Sequence, residues 1–155
     1  MAGNPVRYGI VAPMLAGKST PTQPRRWLDI DDARVDELEP FMKELRTRRD
    51  WSAHDALWWP QVQTWLASQP PRLPLAAHDS GILIALGITP LVAVLPAEPE
   101  WTRRAAARQL TRSERKLARL NRTHVLDWTL RHQSVIVASD MLSATRLINI
   151  ITSTH

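Results

Sequence analysis

Apolar residues recur at helical spacing through the stretch 31–49, at Val35, Leu38, Met42 and Leu45. Asp31 or Asp32 is placed to cap that helix, and Arg46, Arg48 and Arg49 suit the negative end of its dipole. Pro40 falls inside the periodic stretch and predicts a kink or a split. The next stretch, WSAHDALWWPQVQTWLAS from Trp51, is apolar on more than one side. Ser52 can cap it, and Pro60 predicts two short helices or one kinked one. Beyond it, GILIALGITPLVAVLPAEP contains two short apolar runs parted by Gly87 and Pro90. These predict two buried strands near 82–95, or a short helix and then a strand. Val135 to Ala138 predicts a further strand, within a sheet segment at 134–138. Ser139 or Asp140 then caps a last helix whose apolar face is Met141, Leu142, Ala144, Ile148 and Ile151.

The segment from Pro99 to Trp128 is the most polarised. Alanine and arginine favour a helix there, Pro99 suits a first turn, and Thr111-x-x-Glu114 has the form of a capping box from which a second helix restarts. Projected at about 100° per residue as one helix, Leu110, Leu117, Leu120, His124 and Trp128 share a face. Arg104, Arg108, Arg112, Arg115, Arg119 and Arg122 gather opposite, with Lys116 at the edge. Residues 103–131 hold nine basic and two acidic side chains, a net +7 against +5 for the whole chain. The positive field is therefore local.

Residues 1–28 read as an extended arm punctuated by Pro5, Pro13, Pro21 and Pro24, although VRYGIVA within it can be a short strand. Inside the arm, APMLAGKST has the loose form of a phosphate-binding loop. Such a loop works with a strand before it, Gly-rich backbone N–H groups in it, and a helix starting at its lysine. Here Ala12 stands in the usual Gly position, Pro13 lacks an N–H, and Pro21 and Pro24 oppose a helix behind Lys18. No clear second carboxylate motif accompanies it; Asp140, after SVIVAS, ends an apolar run as many buried strands do. The motif logic thus favours the arm over a nucleotide site.

The 155 residues suffice for a real core, and no apolar run has the length of a membrane span. The N-terminus lacks a charged-then-apolar signal layout, and the absence of cysteine excludes disulfides, thiolate zinc sites and thiol nucleophiles. A cytoplasmic protein is the expectation. Arginine outnumbers lysine 17 to 3, and seven tryptophans face one tyrosine and one phenylalanine. Trp51, Trp58, Trp59 and Trp65 are either core or a platform for stacking or partner docking.

Of the five histidines none has tight metal-ligand spacing, so no metal or cofactor is expected. His124, on the projected apolar face, reads as a core histidine. Arg119-x4-His124, in RLNRTH, resembles the R-x4-H motif of the HEPN ribonucleases. That resemblance implies a helix at a dimer interface, with Arg119 and His124 acting on a scissile phosphate.

The expected fold is α+β and mainly helical, with a small sheet. An extended N-terminal arm, 1–28, precedes one domain, 29–155, that contains the proline-rich linker 69–74. The arginine face predicts a non-enzymatic protein that binds nucleic acid or another polyanion. Its residues are Arg104, Arg108, Arg112, Arg115, Lys116, Arg119 and Arg122. The same face could instead pair with segment 29–55, which holds nine acids and five bases, or be plainly solvated. An acidic protein is the other partner that the arginine face could take, and the alternative function is an assembly factor of the phage or mobile-element accessory type that docks through Trp51, Trp58, Trp59 and Trp65 and the arm. A homo-oligomer, seamed by the last helix, is among the states the sequence allows. A ribonuclease or nucleotide hydrolase is the third reading.

Overall fold

The computed structural model describes residues 6–19 and 24–153. The mainly helical, mixed α and β architecture expected from the sequence is what it has: six α-helices and a five-stranded sheet among the described residues. The strands are β1 (Tyr8–Val11), β2 (Leu28–Asp29), β3 (Leu75–Ala77), β4 (Thr89–Val94) and β5 (Ile136–Ala138). The helices are α1 (Glu39–Thr47), α2 (Trp51–Ala67), α3 (Ser80–Ala85), α4 (Glu98–Ala107), α5 (Arg112–Arg131) and α6 (Met141–Ser153). No described helix is long and apolar enough to cross a membrane.

Two units make up the chain. The first, Met1–Asp29 with Arg72–His155, carries the whole sheet. Its strand order is β2-β3-β1-β4-β5, and every neighbouring pair is parallel. The stretch read from sequence as an arm therefore contains the central strand. Ile10 and Val11 are fully buried, paired with Ala76 and Ala77 on one side and with Val92 and Ala93 on the other. Prolines before and after β1 gave the segment the look of an arm; strand pairing with partners more than sixty residues away is not a local signal. Strands β2 and β3, of two and three residues, are too short to show alternation, and both went unread beside the proline-rich stretch.

Of the two readings for the apolar runs near 82–95, helix then strand is the one adopted, as α3 and β4. The α3 crossover passes closely over β1. A Cβ on Gly9 would lie 2.6 Å from Leu83 Cδ1 and 3.2 Å from Ile88 Cγ2. Leu83 is itself fully buried and has little room to turn away. Gly9→Ala is expected to cost about 1–2 kcal/mol by overpacking, measurable as a lower urea midpoint with an unchanged slope. The other side of the strand meets α6: Ile10, Val92 and Val94 cluster with Met141, Ala144 and Ile148. Asp140 starts α6 by accepting a hydrogen bond from the Ser143 backbone N–H at 2.7 Å, which together with further bonds holds its carboxyl below the ordinary range.

The second unit, Ile30–Pro71, holds a 3-10 turn at Ile30–Ala33, α1 and α2. Asp31 and Asp32 lie in the 3-10 turn rather than capping α1. Pro40 neither kinks nor splits a helix; it stands in the first turn of α1, where a missing N–H costs nothing. Asp50, not Ser52, caps α2 by accepting from the Ala53 N–H at 3.2 Å. Pro60 is carried within α2, which runs unbroken for 17 residues. A single lost hydrogen bond is not enough to end it, since packing rather than propensity holds most helices.

Candidate phosphate site

In this sheet the direction of progression reverses at one place. From β1 the chain moves to β2 and β3, on one side; from β3 it crosses over β1 to β4, and from there to β5. Parallel crossovers are right-handed almost without exception, so such a reversal opens a crevice at the strand's carboxyl end. The segment leaving that end of β1 is 12–19, the stretch with the loose phosphate-loop pattern.

The loop is pinned from several sides. Ala12 N–H donates to Ala77 O at 2.7 Å, extending the pairing of β1 with β3. Ala16 N–H donates to Pro13 O at 3.1 Å. Met14 N–H donates to Asn121 Oδ1 at 2.7 Å, and Asn121 Nδ2 donates in turn to His78 O at 3.1 Å. A single side chain on α5 thereby spans the loops that follow β1 and β3. Arg104 Nη1 donates to Leu15 O at 2.8 Å, and Trp27 Nε1 to Lys18 O at 2.7 Å. Leu15 and Gly17 both have left-handed backbone, with φ of 69° and 90°. For Gly17 this is free of strain; for Leu15 it is held by burial among Trp101, Ala105 and Ala118. The N–H groups of Leu15 and Gly17 meet no acceptor among the described residues. Turns that leave backbone N–H groups unconsumed, here on either side of the engaged Ala16 N–H, form anion-binding concavities.

Beside them lies a cavity of about 240 Å³ lined by Leu15, Gly17, Arg104, Ala107 and Arg108. Lys18 is buried, and its Nζ donates to Asp29 Oδ1 at 2.8 Å. Ser19 Oγ donates to the other oxygen of the same carboxylate at 3.0 Å. Asp29 is thus the acidic partner of the loop that sequence reasoning missed. The signal was present: an acid framed by Trp27, Leu28 and Ile30 is an acid in a buried setting, and all four residues are buried. Asp140 follows β5 at the sheet edge, two strands from β1, where it caps α6. The helix start argued against behind Lys18 falls on residues 20–23, outside the described residues; Ser19 itself is in a turn.

The arginine face divides once it is built. The capping box at Thr111 and Glu114 forms as expected, and it makes α4 and α5 separate helices. The break at 108–111 parts Leu110 from the α5 face, and within α5 the side that packs is not the one the projection gave. Leu117 and Leu120 are exposed, at 59% and 58%, while Ala118, Val125, Trp128 and Thr129 are the buried side of α5. His124 is exposed, not a core histidine. Arg104 is held by Glu100 and Leu15 O; Arg122 donates to Pro96 O at 2.8 Å. Arg119 pairs with Glu98 at 2.8 Å and lies 4.4 Å over the Trp101 ring, so the arginine of the R-x4-H pattern is engaged with Glu98 and Trp101. Hydrogen bonding to Arg119 holds the Glu98 carboxyl below its ordinary range, and Arg104 does the same for Glu100. Arg108, Arg112, Arg115 and Lys116 are exposed and form no ion pair among the described residues.

In the second unit, Trp51 is 53% exposed, and Trp58, Trp59 and Trp65 are half-buried. Trp58 stacks with His54 and meets Trp59 edge-on. Among the described residues no group of three or more His, Cys, Asp or Glu side chains could hold a metal ion. No protein-family model, curated protein or solved structure matches this chain.

Proposed function

We propose that the loop 12–19 binds the phosphate chain of a nucleoside triphosphate. One observation carries this reading. At the carboxyl end of the central strand, Leu15 and Gly17 have two backbone N–H groups without acceptors among the described residues and line a cavity shared with Arg104 and Arg108. Backbone donors with a left-handed turn, a lysine and two arginines are the parts from which phosphate sites are built. Arg104 and Arg108 bring positive charge to the same cavity. Nucleotides arrive with magnesium, which keeps waters and takes one or two protein oxygens beside the phosphates. Ser19 Oγ and the Asp29 carboxylate, 3.0 Å apart, are hard oxygen donors of that kind and would hold it. Magnesium there would offset phosphate charge. The chain's own part is to position: Lys18 is held on Asp29, and the loop is fixed to α4 by Arg104 and to α5 by Asn121.

Titration calorimetry with ATP and GTP in millimolar magnesium tests this. The wild-type chain is expected to bind at least one of them and to melt higher in its presence. A variant with both Lys18→Met and Asp29→Asn, which leaves no lone buried charge, is expected to stay folded and lose the response. A melting temperature unmoved by either nucleotide at millimolar concentration counts against the reading.

A second reading, binding of nucleic acid by the arginine face, is favoured by the four basic side chains that have no acidic partner among the described residues.

A further inference from the structure

Arg108, Arg112, Arg115 and Lys116 follow one another from the end of α4 into the first turns of α5. Their arrangement is locally unfavourable. Arg112 lies three and four residues from Arg115 and Lys116, so like charges share one side of a helix. All three stand near the positive end of the α5 dipole, where cations are disfavoured. The one acid in that turn, Glu114, accepts from the Thr111 N–H and completes the capping box. Elsewhere on α4 and α5 the fold does compensate its arginines: Arg103 and Arg104 sit on Glu100, Arg119 on Glu98, and Arg122 on a carbonyl. Compensation stops where the row begins.

The row also has a direction. Arg108 lines the cavity beside Leu15 and Gly17, so one member of the row stands at the phosphate site and the next three follow it in the first turns of α5. Resting on the reading of loop 12–19 as a nucleotide site, we infer that this row binds the phosphodiester backbone of nucleic acid, laid beside the bound nucleotide. Three of the four side chains are arginines, whose planar fork matches phosphate oxygens in pairs. A backbone of regular negative charge turns the repulsion within the row into attraction along its length, and it adds anions near the positive end of the α5 dipole beside Glu114.

Fluorescence polarisation of labelled 20-nucleotide RNA and DNA, single- and double-stranded, tests this across a salt series with the full chain. Four phosphate contacts predict a log–log salt slope of roughly −3. The variant Arg112→Glu, Arg115→Glu, Lys116→Glu is expected to bind at least tenfold more weakly at low salt and to lose most of that slope. Equal binding by wild type and variant, or no binding to any of the four probes at low salt, overturns the inference. So does poly-glutamate of matched charge competing as well as unlabelled oligonucleotide, which would assign the row to an acidic protein. Nucleotide and oligonucleotide binding measured side by side on the wild type separate the two readings. If the wild type takes ATP or GTP but no oligonucleotide, the row's assignment falls and the nucleotide site stands. If oligonucleotide binds through the row while no nucleotide binds, the row stands and the nucleotide site falls.

Discussion

Lys18→Ala is expected to destabilise the chain by about 3–5 kcal/mol, because it takes the ammonium away from a buried carboxylate. Lys18 and Asp29 have side chains only 9% and 7% exposed and meet at 2.8 Å. At about 2–4 °C per kcal/mol for a domain of this size, the melting temperature should fall by roughly 10 °C. The pair is not valuable for stability in itself. Bringing two charges out of water costs about as much as their attraction returns, so neutralising both is often harmless. Lys18→Met with Asp29→Asn should therefore recover most of the loss, to within about 1 kcal/mol of wild type, since neither charge is left alone. Thermal unfolding of the three proteins side by side makes the comparison. A single variant as stable as wild type would mean that Asp29 is satisfied without Lys18, and that the ion pair does not hold the loop. If stability returns in the double variant but nucleotide response does not, the pair belongs to the site's chemistry rather than to its scaffold.

Trp101→Ala is expected to cost about 3–5 kcal/mol, the range for a large aromatic truncated inside a packed core. The ring is 1% exposed, packs with Leu15, Ala105 and Ala118, and carries the Arg119 guanidinium on its face at 4.4 Å. Leu15 is one of the residues whose left-handed backbone shapes the loop, so the cavity left behind would loosen the loop as well as the helix pair. Nucleotide affinity should fall with stability in this variant, although Trp101 does not line the cavity. Trp101→Phe provides the contrast. Its loss of volume is smaller, and it removes an indole N–H that is buried with no partner among the described residues. An unpaired buried donor carries a penalty of about 1–3 kcal/mol, and removing it offsets part of the lost packing. The phenylalanine variant should thus lie within about 1–2 kcal/mol of wild type by urea unfolding. Equal losses for alanine and phenylalanine would show that the indole's polar edge, rather than its volume, is what the core uses.

Both variants act on one loop, and the fold gives that loop a position that its local sequence does not show. The arguments against APMLAGKST were local: a missing glycine, a proline in the turn, and prolines behind the lysine. What they could not weigh is position. The stretch leaves the central strand at the point where the sheet reverses direction, and that depends on pairings between residues 8–11 and residues 75–77 and 89–93. Asp29 was hidden for the same reason: β2 is two residues long and gains its identity only by lying beside β3. The arginine face was visible as a charge pattern, but which arginines are engaged depends on Glu98, Glu100, Trp101, Pro96 and Leu15, and only packing brings these together.

The sequence by itself determined what is set within a turn or two of chain. It carried the helical character of α2 and α5, the apolar face of α6, the Thr111–Glu114 capping box, the Asp140 cap, the mixed and mainly helical class, and the concentration of charge on 103–131. Each rests on contacts between residues three or four apart, which spacing alone encodes. Tertiary structure decided the rest: the strand order, the burial of β1, the separation of α4 from α5 into differently facing helices, and the meeting of Lys18 and Ser19 with Asp29. The physical reason is that parallel strands pair only across long crossovers. Short strands such as LD and LAA have no period of their own to read, and their places are fixed by partners far away in sequence.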